Sequence, residues 1–285
     1  MKCLAQDYPV LELCSVLGLS RSGYYKWLQD RPSARAQANR ALSARINALH
    51  QHNRHCYGSP RITAALRQEG LRVGKNRVAR LMRLSGIKAR RKRPFRPRTT
   101  DSRHGEPIAP NRLKSTPNLI RPNQVWVSDI TYIWTAAGWV YLAAIMDLCS
   151  RKILGWSLGD RLDASLVKQA LSQALADRRP APGLVHHSDR GSQYASSAFR
   201  ALLHSWKILP SMSGRAHCYD NAAMESFWSS LKNELVHHQR FENAQQARLA
   251  IFDYIHTFYN RRRLHSALGY KSPVEFENQI VYKNN

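Results

Sequence analysis

Three carboxylates stand where an acid is either costly or poised. Asp129 lies in Trp126-Val127-Ser128-Asp129-Ile130-Thr131-Tyr132, Asp189 in His187-Ser188-Asp189-Arg190-Gly191-Ser192-Gln193-Tyr194, and Glu225 in Asp220-Asn221-Ala222-Ala223-Met224-Glu225-Ser226-Phe227-Trp228. Val127 and Ile130 fall on opposite faces of an alternating strand. Such a strand is apolar on both sides, and an Asp in it is costly unless paired or bound to a cation. Asp189 ends a short apolar run and precedes a turn. That places its carboxylate at the carboxyl end of a strand, where open α/β sheets form their sites. Glu225 opens a helix marked by the caps Asp220 and Asn221. It borders an apolar stripe of Met224, Phe227 or Trp228, Leu231 and Leu235, with Lys232 two turns along the same face. Singly, each has an ordinary explanation: a hydrogen-bonded sheet acid, a turn residue, a surface Glu–Lys face. Together they imply more. Three neighbouring carboxylates repel and raise one another's pKa unless a dication neutralises them. Oxygen ligands suit Mg²⁺, with Mn²⁺ as a substitute. Two such ions roughly 4 Å apart stabilise the attacking and leaving oxygens of an in-line displacement at phosphorus. Asp129, Asp189 and Glu225 are therefore the expected catalytic and metal-binding residues, and Lys232 the expected point charge on a phosphate.

Composition says what the phosphate belongs to. The chain has 285 residues and a net charge of +25, a field that attracts polyanions. Residues 1–120 carry 25 Lys+Arg against 6 Asp+Glu, whereas residues 121–285 carry 19 against 13. A basic binding half thus precedes a half that holds most of the acids. No apolar run is long enough to span a membrane, and the N-terminus does not read as a secretory signal. Five scattered cysteines suit a reducing compartment rather than a disulfide framework. The expected location is the cytoplasm, in association with nucleic acid.

The N-terminal half reads as small all-α modules. Residues 9–28 predict a helix-turn-helix whose apolar face is Leu11, Cys14, Val16 and Leu17, with Ser20 capping the second helix. Residues 31–50 predict an Ala- and Arg-rich helix, a connector or an oligomerisation helix. Residues 55–90 predict a second helix-turn-helix, entered through Gly58-Ser59-Pro60-Arg61 and turned at Val73-Gly74. Its second helix buries Val78, Leu81, Met82 and Leu84 and presents Lys75, Arg77, Arg80 and Arg83, as a helix that enters the major groove would. Residues 71–100 hold 12 Lys+Arg and no acid, which disfavours a merely solvated face. The expected DNA contacts are Arg61, Lys75, Arg77, Arg80, Arg83, Arg90, Arg91, Lys92, Arg93 and Lys232. His50, His52, His55 and Cys56 lack the second ligand pair of a zinc site; capping or DNA backbone contact suits them better. Residues 91–122 are a basic, Pro-rich linker. The domain division is 1–50, 51–92, 93–122 and 123–285.

The C-terminal half changes character. Strands are predicted at 124–134, 139–147, 153–157, 184–187 and 208–212, with helices at 164–177, 197–206, 221–236 and 243–260. Three antiparallel strands followed by αβαβ make an α/β layout with one mixed five-stranded sheet and flanking helices, the order of the ribonuclease H-like fold.

The quoted blocks resemble those of the retroviral-integrase-type transposase core. The 35-residue gap from Asp189 to Glu225, and the Lys seven after Glu225, match its two-Asp-one-Glu pattern. Tyr259-Asn260-Arg261-x-Arg263-x-His265-x-x-Leu268-Gly269-Tyr270-x-Ser272-Pro273 is similar to a C-terminal signature of the same family, and Tyr57-Gly58-Ser59-Pro60-Arg61-Ile62 to the entry of its second helix-turn-helix. The resemblance covers residues 10–280 and is strongest to bacterial insertion-sequence-3 type transposases, B-frame product. It implies nicking of a transposon end to a 3′-hydroxyl, joining of ends, and insertion of a circular intermediate into target DNA. It also implies partners: the terminal inverted repeats, target DNA, a second copy or more (a dimer or tetramer on DNA), and an upstream A-frame product or fusion.

Two other classes compete. A non-catalytic DNA-binding repressor would bind with steep salt dependence and make no product. A nuclease of ribonuclease H type would cleave without joining. Three acids at matching spacing argue against the first; two helix-turn-helix segments argue against the second. Among rival acids, Asp220 reads as a cap, Asp147 as a strand-end residue, and Glu234 as a half-turn round the helix from Glu225.

Overall fold

The computed structural model describes residues 2–28, 32–90, 108–113, 119–214 and 221–284. Five strands form one sheet in the order β3-β2-β1-β4-β5: β1 (Val125–Thr135), β2 (Gly138–Asp147), β3 (Ile153–Gly159), β4 (Val185–Ser188) and β5 (Leu209–Met212). β1 to β3 form an antiparallel meander, and β4 and β5 add in parallel. This is the expected ribonuclease H-like order, with β1 central. Its two faces belong to different cores. Val125, Val127 and Ile133 pack into one cluster with Met224, Phe227 and Trp228. Trp126 and the partly buried Ile130 pack into another with Leu166, Leu171 and Phe199.

The second face is covered by helix α6 (Ala164–Arg178), whose Asp163 caps Leu166 N, and by α8 (Ser197–Ser205), which follows the short helix α7 (Ser192–Ala195). α6 comes so close to β3 that a Cβ on Gly155 would stand 2.2 Å from the Ala170 carbonyl oxygen. The first face is covered by α9 (Ala222–Glu234) and α10 (Ala244–Asp253), the latter continuing as a π-helical segment through Tyr259. The tip of the β1–β2 hairpin is pinned, Ala136 N and Ala137 N donating to the carbonyls of Phe241 and Glu242.

A last helix, α11 (Pro273–Asn284), was not among the expected elements. Ser272 and Glu275 start it with a capping box: Ser272 N donates to Glu275 Oε2 at 2.8 Å, and Glu275 N to Ser272 Oγ at 3.3 Å. Its Glu277 accepts from Arg178 and from Ser150 Oγ, while Asp147 accepts from Ser150 N, Ser150 Oγ and Asn123 N. Asp147 thus locks the turn between β2 and β3.

The N-terminal helices are α1 (Val10–Val16), α2 (Arg21–Leu28), α3 (Ala34–His52), α4 (Ser59–Gln68) and α5 (Lys75–Leu84). Ser20 Oγ accepts from Gly23 N, as expected of a cap. Of the face expected on α1, only Cys14 is buried; Leu11, Val16 and Leu17 are exposed. α3 is more than a connector. Its Leu42, Ile46 and Leu49 share a core with Ile62 and Leu66 of α4 and Val78, Leu81 and Met82 of α5. Leu84, expected in that core, is exposed. Among the described residues no helix is long and apolar enough to cross a membrane.

The three-helix unit docks on the C-terminal segment. The buried Tyr57 hydroxyl donates to the Arg262 carbonyl and accepts from Leu264 N at 2.8 Å. Arg61 Nε donates to the Leu264 carbonyl and Gln68 Nε2 to that of Tyr270. Arg54 pairs with Asp253. Asn260 completes the seam on the other side, pairing its amide with both backbone groups of Ile153 at 2.9 Å, as a neighbouring strand would.

Candidate active site

Asp129 and Asp189 line one cavity of about 360 Å³ together with Tyr132, Trp139, Gly191 and Gln193. Asp129 is midway along β1, half-buried at the cavity floor. Its Oδ2 accepts from the indole N–H of Trp228 on α9 at 3.0 Å. Burial, then the charge of Asp189, then that of Glu225, push its carboxyl up to about 7, against the opposing hydrogen bonds of Ile130 N–H and Trp228. Asp189 follows β4 directly, and its Oδ1 accepts from Gly191 N at 3.0 Å. The strand beneath it is fixed by His187, whose two ring nitrogens meet Ser211 Oγ and Ser213 Oγ.

Glu225 is placed differently. It is exposed on α9, one turn before Trp228, and lies outside the cavity wall while its charge reaches Asp129. α9 is tied to β1 at two points, through Trp228 and through Asn221 Nδ2, which donates to the Ser128 carbonyl. Asn221 gives no side-chain cap, and Asp220 lies outside the described residues. Lys232 stands one turn beyond Trp228, its ammonium 4.8 Å from the centroid of the Tyr132 ring. Burial lowers its pKa, and the charge of Asp129 opposes that. Among the described residues, no three His, Cys, Asp or Glu side chains are gathered closely enough to hold a metal ion.

The donor set nevertheless fits a dication. Two carboxylates share a cavity in which burial, and then the charge of Asp189, raise the pKa of Asp129 to about 7. An ion between them would relieve that repulsion, and their oxygens are the ligands that Mg²⁺ takes.

Apart from Lys232, the expected DNA contacts divide into three. Lys75, Arg77, Arg80 and Arg83 lie exposed along α5, and Arg90 is exposed just beyond it. Arg77 is held against α3 by Asn39 Oδ1. Arg61 turns inward, bonded to the Leu264 carbonyl and 3.9 Å from Glu234. Its Nε–H serves the docking seam. Arg91, Lys92 and Arg93 lie outside the described residues.

One site feature was not anticipated. Trp228 was read as core stripe, yet its indole N–H donates a hydrogen bond to Asp129; a Trp beside an acid-bearing strand was the available signal. Glu234 faces away from the cavity, as helical phase requires. It is buried in a bidentate pair with Arg263, 2.7 Å from Glu234 Oε1 to Arg263 Nη2, and accepts from the Tyr254 hydroxyl. His50 bonds the Tyr57 carbonyl and meets the His55 ring edge-to-face, a packing role.

The chain is similar to known proteins along most of its length. A model described as "HTH-like domain" matches residues 37–95, and two described as "Integrase core domain" match residues 120–218 and 225–281. The chain is 46% identical over 264 residues to the "Insertion element IS600 uncharacterized 31 kDa protein" of Shigella sonnei, covering 93% of this chain and 97% of that protein. It is 38% identical over 275 residues to "Transposase InsF for insertion sequence IS3A" of Escherichia coli (strain K12), covering 96% and 95%. A solved HTLV-2 integrase catalytic core domain, in complex with magnesium, aligns at 16% identity and a TM-score of 0.42, over 55% of this chain and 97% of that one.

Proposed function

Because the chain belongs to the insertion-sequence-3 family of transposases, we propose that it binds the ends of its element and catalyses 3′-end nicking and strand transfer by in-line phosphoryl transfer. The observation that carries this reading is the shared cavity of Asp129 and Asp189, in which the charge of Asp189 adds to burial in raising the Asp129 pKa.

Asp129, Asp189 and Glu225 are the proposed catalytic triad of carboxylates. Asp129 and Asp189 would hold divalent metal from the cavity floor and rim. Glu225 would supply a third carboxylate from α9, whose angle to β1 is set by Trp228 and Asn221. Bound Mg²⁺ would supply charge neutralisation and activation of the attacking oxygen. The protein's own contribution is placement: Asp189 is oriented by Gly191 N–H, Asp129 by Trp228, and Lys232 stands beside Tyr132 to meet a phosphate. The cations of α5 would grip duplex DNA, so that residues 51–92 bind and residues 123–285 act. Working on two ends at once requires more than one copy, a dimer or tetramer on DNA.

Asp189→Asn tests the assignment. The variant should bind end DNA as the parent does and lose nicking and joining by at least about a thousandfold in Mg²⁺ or Mn²⁺. Retained strand transfer would overturn it.

A further inference from the structure

The two motifs at Tyr57–Ile62 and Tyr259–Pro273 take no part in the carboxylate cavity. They meet instead at a second cavity of about 270 Å³. Arg61 enters it from α4, Arg151 from the turn between β2 and β3, Arg263 and His265 from the C-terminal segment, and Ser226 and Ser230 from α9. Its chemistry is cationic. Glu234 is the one acid engaged by these arginines among the described residues, and it is committed to Arg263. Arg151 forms no ion pair with a described residue, and Arg61 reaches Glu234 only at 3.9 Å. Three guanidinium groups against one carboxylate leave an excess of positive charge around a space that would hold a tetrahedral anion. His265 reports the same field: burial, then Arg263, Arg61 and Arg151, push its pKa down to about 2, so its ring stays neutral. The cavity also borders the first turn of α9, whose Asn221 provides no side-chain cap. Helix N–H groups there favour an anion.

We propose that this pocket holds one backbone phosphate of bound DNA. The inference rests on the transposase reading and adds a contact that the α5 cations do not provide. The position favours a DNA backbone over a free anion. Arg61 is on the helix preceding the basic face of α5, and Ser226 adjoins Glu225, so a strand crossing the pocket would run between the two.

The test is the salt dependence of binding to a duplex of fixed sequence, measured by fluorescence anisotropy on the full chain. Arg151 is half-buried with no side-chain hydrogen bond to a described residue, so Arg151→Ala should melt like the parent. Losing one phosphate contact should lower the slope of log affinity against log salt by about 0.9 and weaken binding roughly five- to tenfold near 0.1 M salt. Arg151→Lys should keep the slope. An unchanged slope in folded Arg151→Ala overturns the proposal. So does titration with inorganic phosphate in which Arg151 is needed for phosphate but not for the DNA slope, which would make the pocket a small-anion site. A parent chain without salt-dependent DNA binding would instead overturn the transposase reading, and this proposal with it.

Discussion

The indole N–H of Trp228 donates to Oδ2 of Asp129, joining helix α9 to the central strand where the two cores of the sheet divide. The bond stabilises the ionised carboxylate against burial and the charge of Asp189. Trp228→Phe keeps an aromatic ring there and removes the donor. The Asp129 pKa should then rise beyond about 7. A hydrogen bond to a charged group contributes about 1.5–3 kcal/mol, so activity at pH 7 should fall by roughly tenfold or more. The acid limb of the pH–rate profile should move upward. A profile that overlays the parent's would refute the role.

The same carboxylate should make stability fall as pH rises. Its pKa is raised from 3.8 to about 7 on folding. Between those values the folded state keeps a proton that the unfolded state has lost, so the contribution is full below pH 3.8 and lost as pH passes 7. Asp129→Asn removes this loss. In metal-free solution at pH 8 its Tm should exceed the parent's by roughly 3–8 °C, and the gap should shrink toward pH 4. Adding Mg²⁺ at pH 8 should raise the parent's Tm and leave that of Asp129→Asn nearly unmoved. Calorimetry across the pH range checks both.

Tyr57→Phe tests the docking seam. The change strips a partner from the Leu264 amide and from the Arg262 carbonyl. A buried polar group without a partner costs about 1–3 kcal/mol. Urea unfolding should show that loss, and hydrogen exchange at the Leu264 amide should quicken more than at the amides of β2.

Gly155→Ala should be among the most damaging single changes. The added carbon would meet the Ala170 carbonyl at 2.2 Å and Ala174 N at 2.8 Å, both backbone of α6. Relief requires lifting the helix off β3, which should cost about 3 kcal/mol or more, in the range of severe overpacking. Soluble yield and Tm report it; a Tm within a degree of the parent's would show that α6 yields freely.

Much of this fold was legible because hydrophobic period and strand-to-helix alternation are local properties. Val127 and Ile130 on opposite faces already required a central strand, and the break at Arg190-Gly191 already required Asp189 to end one. Charge was less informative. Arg61 and Arg80 look alike in sequence, yet one bonds the Leu264 carbonyl and the other faces solvent. What separates them is a contact some 200 positions away, which no local pattern encodes. The Glu234–Arg263 pair was hidden for the same reason, 29 positions apart between helix α9 and the irregular segment after Tyr259. Helix α11 did carry a local signal, Ser272-Pro273-Val274-Glu275, whose box was absorbed into a longer motif.

The hydroxyl of Tyr57 bonds a carbonyl and an amide of the C-terminal segment, and Arg61 bonds the carbonyl between them and α11. The helices that would grip DNA are thus mounted on the unit that would cut it, without relying on the chain that links them in sequence. On the proposed reading the molecule works as a calliper. The interval along the duplex from the recognised bases to the broken bond is set by the seam between two folded bodies, and shifting that seam would shift the cut.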